Sequence, residues 1–345
     1  MTPLTISPPL LNSSNPWCTT LEQLEELYNT PHTGAVTTRT SLLTTGFPHH
    51  SSTHQFTFYN PTTFSSSEPN KDEAGTGDQT GSLNTLGYSP IPLHDYLGYI
   101  KTISDSLENR DDYKPFIISV TGTAEDVVEC YKRITSRQQA VRMTLSMEVN
   151  LSCPNIPGKP PPAYSSEALF CYLTALKAEM GRQSKLDEEH VHVPIGIKTP
   201  PYTYHDQFQT LINALQKSST AKANDRLCPV SFITATNTLG SSLLLSPSTS
   251  SESTDVRTIN SANGSGIGGL AGAPLHPLAL GNVYTIHELL QQHEQLKDIQ
   301  IIGVGGVEDV HGFRRMRSVG AAAVGVGSAL GRKGVKVFEE IGKEI

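Results

Sequence analysis

Residues 147–164 read MEVNLSCPNIPGKPPPAY, and in them Asn150, Cys153 and Asn155 fall where an apolar alternation (Leu145, Met147, Val149, Leu151) gives way to a loop rich in Pro and Gly. Amide side chains carry donors and acceptors together, which suits a flat heterocycle with ring N–H and C=O groups. A thiol at a strand-to-loop junction can serve as a base, a nucleophile or a metal ligand. Taken alone, a buried cysteine between two turn-forming asparagines is the commoner meaning of such a triplet. The rest of the chain adds weight to the chemical one. Lys198 ends the apolar run in GIKTPPYT, a cation that packing alone would not place there, and Asn237 with Thr238 ends another. Glycine turns at 303–306 (GVGG) and 327–330 (GSAL) precede helical patterns, where backbone N–H groups can hold a phosphate. A thiol, a lysine, three amides and such turns together point to a phosphorylated cofactor beside a small polar ring.

These groups need a scaffold that gathers strand ends. Apolar, β-branched runs predict strands at 10–13, 34–39, 116–121, 144–151, 193–198, 231–237, 300–305 and 322–327. Helical patterns predict helices at 20–28, 94–107, 125–134, 166–180, 206–215, 283–293, 310–319 and 336–345. Eight strands alternating with helices indicate an α/β protein, a (β/α)8 TIM barrel built as one domain over residues 1–345. An open doubly wound sheet is the alternative, weakened by the missing GxGxxG after the first strand. Two polar insertions, 44–80 and 246–265, interrupt the rhythm and read as long surface loops. Phe56, Phe58, Tyr59 and Phe64 in the first are candidates to dock on the body or on a partner. His49–His50 and the His190/His192 pair lack carboxylate or cysteine partners at ligand spacing, so no metal is expected and they read as solvated loop residues.

The chain has 345 residues, 37% of them hydrophobic, a net charge of −7 and a mean hydropathy of −0.27. That balance argues against nucleic-acid and membrane-surface roles, which need basic patches. There is no apolar run of about 18 residues to span a bilayer. The opening MTPLTISPPLLNSSNPW lacks the basic start and apolar core of a signal peptide. Five widely spaced cysteines (18, 130, 153, 171 and 228) form neither a disulfide framework nor a zinc site. A cytoplasmic location is the expectation.

The chain resembles the class 1 dihydroorotate dehydrogenases, FMN enzymes of pyrimidine biosynthesis. NLSCPNIPGKP is similar to their active-site loop, and GIKTPPY, ATNTLG, GGLAGAPLHPLAL, IIGVGGVED and VGVGSAL resemble their later landmarks in order. LNSSN, GAVTTRTS and GSLNTLGYS resemble the early ones, so the likeness runs from about residue 10 to the end, outside the two insertions. It implies oxidation of (S)-dihydroorotate to orotate, with Cys153 taking the C5 proton and hydride passing from C6 to FMN. A free thiol of pKa about 8.5 needs modest tuning for that task. The resemblance makes Asn84, Asn150, Asn155, Asn237 and Thr238 the substrate-binding set. Lys198 becomes the second catalytic residue, stabilising charge on the reduced flavin. Ser14, Arg39, Thr40, Asn150, Lys198, Gly272, Gly305, Gly306, Gly327 and Ser328 become cofactor contacts. PGKP after CPN is most like class 1A, the soluble homodimers that pass electrons to fumarate and release succinate.

Three positions depart from the pattern. Arg39 stands where the family usually has Lys, Thr238 where it has Ser, and Asn15 where it has Gly, which raises the question of a backbone angle at Asn15 that only Gly adopts freely. The competing readings are an FMN barrel that uses another dihydropyrimidine or acceptor, a cysteine hydrolase on Cys153, and a non-catalytic flavin-binding barrel. The hydrolase lacks a histidine at any strand end, and the retained Cys153 and Lys198 speak against the last.

Overall fold

The computed structural model describes residues 3–71, 77–108, 113–152, 161–186, 192–220, 228–246 and 255–345. Its main sheet comprises β1 (Leu10–Asn12), β2 (Val36–Thr37), β5 (Phe116–Val120), β6 (Leu145–Asn150), β7 (Ile195–Thr199), β8 (Phe232–Ala235), β13 (Gln300–Val304) and β14 (Ala323–Val326). The intervening numbers belong to a second sheet, β3 (Phe56–Tyr59), β4 (Gly81–Asn84), β9 (Leu239–Ser242) and β12 (Gly268–Gly272), and to a ribbon of β10 (Leu245–Ser246) and β11 (Val256–Arg257). The main sheet is parallel, in the order β1-β14-β13-β8-β7-β6-β5-β2. A parallel bridge from Leu11 to Ala35 joins its two ends, closing a (β/α)8 barrel as expected. The seam is short, and a side chain extends it: Asn12 Nδ2 donates to the Thr37 carbonyl at 2.7 Å while its Oδ1 accepts the Thr37 N–H at 2.9 Å.

The helices are α1 (Leu21–Asn29), α2 (Leu93–Ser106), α3 (Ala124–Gln138), α4 (Ser166–Leu186), α5 (His205–Thr220), α6 (His276–Gln291), α7 (Val310–Ser318), α8 (Ser328–Lys333) and α9 (Lys336–Gly342). Thr20 and Thr123 open α1 and α3 with reciprocal capping boxes, each satisfying N–H groups that have no acceptor within the helix. Helix α6 begins at His276, earlier than the expected 283, because Pro277 lies in its first turn, where a fixed φ is already helical. Helix α4 runs on to Leu186, past the expected end, and α8 was not expected at all.

Strand periodicity sorts the core into two. Alternate residues such as Phe116, Ile118, Val120, Leu145, Met147, Val149, Ile195 and Ile197 face the helices and share one cluster with them. The opposite set, Leu11, Ala35, Ile117, Phe232, Ile302 and Ala323, fills the barrel interior, joined by Leu4 and partly buried Ile6. Gly196 makes room there, since a Cβ on it would lie 2.1 Å from the Phe232 ring. Between α1 and β5, Lys114 Nζ reaches the carbonyls of Tyr28 and Thr30, both at 2.7 Å, and Thr33 Oγ1 at 2.8 Å. It caps the C-terminal end of α1, where carbonyls have no helical partner.

The second sheet is the main departure from expectation. It runs β3-β4-β12-β9 in antiparallel register, and β3 lies inside the segment read as a polar surface loop. Phe56, Phe58 and Tyr59 are buried, with Trp17 stacked on Phe58 and edge-on to Phe56, whereas Phe64 stays exposed. Four residues of FTFY set among serines and threonines gave too short an apolar run to read as a strand; Phe56 and Phe58 are covered by Trp17 on the barrel, and Tyr59 packs with Leu83, Leu244 and Ile259.

Candidate active site

A cleft of about 1020 Å³, counted to its open mouth, lies where the barrel's strand ends meet the second sheet. Its walls include Ser14, Arg39, Thr40, Asn84, Asn150, Lys198, Asn237, Thr238, Gly272, Gly305, Gly306, Gly327 and Ser328. These are the candidates singled out from sequence, brought together from both sheets. Cys153 and Asn155 lie outside the described residues, as does His190. Among the described residues Cys18 follows the cleft residue Trp17, and its buried side chain donates to the Asn15 carbonyl at 3.0 Å. Burial pushes it up to about 12, so it is no candidate for a base at neutral pH.

At the centre stand interlocked amides. Asn150 ends β6 with its Nδ2 3.0 Å from Thr40 Oγ1, and its Oδ1 accepts from Ser152 Oγ at 3.0 Å and from Asn237 Nδ2 at 3.4 Å. Asn237 Oδ1 accepts the Thr238 N–H at 2.8 Å. Across the cleft Asn84, at the end of β4, donates to the Gly269 carbonyl at 3.3 Å. Gly269 must lack a side chain, since a Cβ there would stand 2.2 Å from Thr238 Oγ1. The antiparallel pairing of β4 with β12 thus carries Asn84 to the barrel residues Asn237 and Thr238.

Lys198, in β7, is 3% exposed, and its Nζ donates to the Ser14 carbonyl at 3.3 Å. No carboxylate lies within ion-pair distance of it among the described residues, so the cation is kept for the cleft. Arg39 is also buried, with Nη2 3.5 Å from the Gly87 carbonyl and 3.3 Å from His49 Nε2. His49 is therefore not the solvated loop histidine expected. Its Nε2 lies 2.8 Å from the Tyr88 carbonyl, and burial, with Arg39 adding to it, lowers its pKa despite that bond. His192, likewise read as solvated, contacts Tyr131 Oη at 3.3 Å and Ser184 Oγ at 2.7 Å. Asn15 needs no left-handed backbone: it is absent from the residues with positive φ, and its Oδ1 instead accepts the Trp17 N–H at 2.8 Å.

The glycine turns fit a phosphate. Gly272 (φ +79°), Gly305 (+142°) and Gly306 (+66°) occupy backbone conformations that disfavour side chains, and a Cβ at Gly306 would meet the Gly272 carbonyl at 2.6 Å. The N–H groups of Gly305, Gly306 and Gly327 have no acceptor among the described residues, a set of free donors of the kind an anion satisfies. Thr236 Oγ1, buried in the same wall, also has no partner among the described residues. Behind the turn, His276 Nδ1 meets the Gly305 carbonyl at 2.7 Å while its Nε2 accepts from Arg315 Nε at 3.0 Å. Burial holds its pKa below the ordinary value against the Gly305 bond, and Arg315 adds to the lowering.

Other residues of this site went unread in the sequence. Trp17, Phe56, Leu86 and Tyr88 line the cleft, and Glu148, 2% exposed, lies inside the barrel beneath it. A signal for Glu148 existed: a charge inside the apolar strand LSMEVN is as unusual as Lys198 in its own.

The strand ends of this (β/α)8 barrel open into a cleft lined by amides, a buried lysine and glycine turns, the architecture of a barrel enzyme; comparison with known proteins gives the family. The family model described as dihydroorotate dehydrogenase matches residues 61–345, and the chain belongs to that family. Its relatives include a Streptococcus pneumoniae protein described as probable dihydroorotate dehydrogenase A (fumarate), 29% identical over 97% of this chain and 88% of that one. The Lactococcus lactis dihydroorotate dehydrogenase A (fumarate) is 28% identical over 98% of this chain and 89% of its own. A crystal structure of the Eimeria tenella DHODH in complex with ferulenol superposes with a TM-score of 0.66 at 15% identity, covering 97% of this chain and 80% of that one, a likeness of fold.

Proposed function

We propose that this chain oxidises (S)-dihydroorotate to orotate in pyrimidine biosynthesis with FMN as its cofactor, and passes the electrons to fumarate. The observation that carries it is the convergence of Asn84, Asn150, Asn237, Thr238 and Lys198 in one cleft beside free glycine N–H donors, in a member of this family. The amides, with Asn155, bind the ring and carboxylate of the substrate. Cys153 takes the C5 proton. FMN, with its phosphate at the turns of Gly272, Gly305, Gly306, Gly327 and Ser328, supplies the hydride acceptor. Ser14, Arg39 and Thr40 flank it, and Lys198 offers a buried positive charge where negative charge accumulates. Fumarate, the acceptor in the names of the relatives, is reduced to succinate.

The chain works as a homodimer in the cytoplasm. Exposed Leu243, Leu245, Val256 and Ile267 supply apolar surface for association, and no helix among the described residues is long and apolar enough to cross a membrane. The test is anaerobic. The purified protein should show an oxidised flavin band that dihydroorotate bleaches and fumarate restores. Bleaching without recovery on fumarate would retain the substrate and reject the acceptor. A protein that takes up no FMN when it is supplied would end the proposal.

A further inference from the structure

Glu148 lies on the inward face of β6, two residues before Asn150 and on the same side of the strand. Each of its carboxylate oxygens faces a hydroxyl: Ser119 Oγ donates to Oε1 at 2.8 Å and Thr234 Oγ1 to Oε2 at 2.6 Å. A hydroxyl has one proton and two lone pairs. Ser119 has given its proton to Glu148, so in its 2.9 Å contact with Thr40 Oγ1 it accepts and Thr40 donates. Thr40 has then given its own, so it accepts from both remaining neighbours, Ser14 Oγ at 3.0 Å and Asn150 Nδ2 at 3.0 Å. That uses every donor and acceptor Thr40 possesses. Ser14 is left with only lone pairs for whatever binds in the cleft it lines. Asn150 is fixed with its N–H turned to Thr40 and its oxygen turned to Ser152 and Asn237.

We infer that Glu148 is a positioning residue: acting through Ser119 and Thr40, it sets which way the Ser14 hydroxyl and the Asn150 amide present their donors and acceptors to the bound ring. Hydroxyls and amides can reverse roles along a chain, whereas a carboxylate only accepts. The carboxylate therefore sets the direction of the hydroxyl relay from Ser119 to Ser14, while at its far end the Ser152 N–H, which also only donates, meets Asn150 Oδ1 at 3.3 Å and holds the amide in the same sense. The activity readout rests on the function proposed above; the inference about hydrogen-bond direction does not.

Two variants test it. Ser119→Ala cuts the chain between Glu148 and Thr40. Thr234→Val removes the donor on the other carboxylate oxygen and leaves the chain intact. Asparagine-selective 15N labelling follows the Asn150 side-chain amide, identified as the signal lost in Asn150→Asp. In Ser119→Ala this amide should lose its hydrogen-exchange protection by about tenfold or more, and KM for dihydroorotate should rise about tenfold with kcat changed far less. Thr234→Val should leave protection and KM near their original values. If both variants disturb the amide alike, the buried carboxylate is merely structural and the inference fails. If Ser119→Ala leaves the amide protected, it also fails. A wild-type protein that shows the protection pattern but does not turn over dihydroorotate would instead overturn the proposed function and leave the positioning role standing.

Discussion

At the scale of single residues, Lys198 is the group whose removal should speak most clearly. Its ammonium is buried, rests on the Ser14 carbonyl and has no carboxylate within ion-pair distance among the described residues, which suits the electrostatic role proposed for it. Lys198→Met should keep the fold and lower the rate of flavin bleaching by dihydroorotate about 10²–10³-fold, measured by anaerobic stopped flow. A change under about threefold would remove its electrostatic role. The sequence made Lys198 legible because a charge at the end of an apolar strand demands a reason. Glu148, on the neighbouring strand and two residues out of register with Lys198, is as anomalous a charge, but it is overshadowed by Asn150 and Cys153 in the loop beyond it. Its role depends on Ser119, Thr40 and Thr234, which come from three other segments, and no local pattern announces that meeting. Asn15 illustrates the reverse: the substitution suggested strain, and the fold meets it with a side-chain turn onto Trp17.

At the scale of elements, the eight barrel strands were readable because each is a short apolar run bounded by a helix pattern. The second sheet was not, since β3 is a four-residue run set among polar residues and β9 is mostly small or polar, and both gain their place from partners elsewhere in the chain. Their pairing with β4 and β12 nonetheless carries Asn84 into the cleft. The end of α1 offers a test of a purely structural element. Lys114 donates there to the carbonyls of Tyr28 and Thr30 and to the Thr33 hydroxyl, and charge-assisted bonds of this kind contribute about 1.5–3 kcal/mol each, less when shared. Lys114→Met should lower the urea midpoint of unfolding without altering KM for dihydroorotate. An unchanged midpoint would mean that water replaces the ammonium at no cost.

For the molecule as a whole, acid should loosen the fold partly through His276. Its folded pKa is depressed from 6.5, chiefly by burial, so the unfolded chain takes up the proton first as pH falls. The stability it contributes is complete above about pH 6.5 and is lost as the pH drops toward the folded value. His49 and His54 are shifted in the same direction. Tm should therefore fall between about pH 7 and pH 5, and His276→Gln should make that fall shallower. Equal slopes in the two proteins would show that His276 gains its proton without cost. The closure of the barrel has a consequence of another kind. Ser13 bonds to Val326, 313 residues further on, so the pairing of β1 with β14 cannot form until β14 has left the ribosome. At roughly 5–20 residues per second that is a wait of about 15–60 s. Through this interval the nascent β1 has no neighbour on its β14 side, which makes early chaperone contact, and cofactor capture only after release, the expected order of events in the cell.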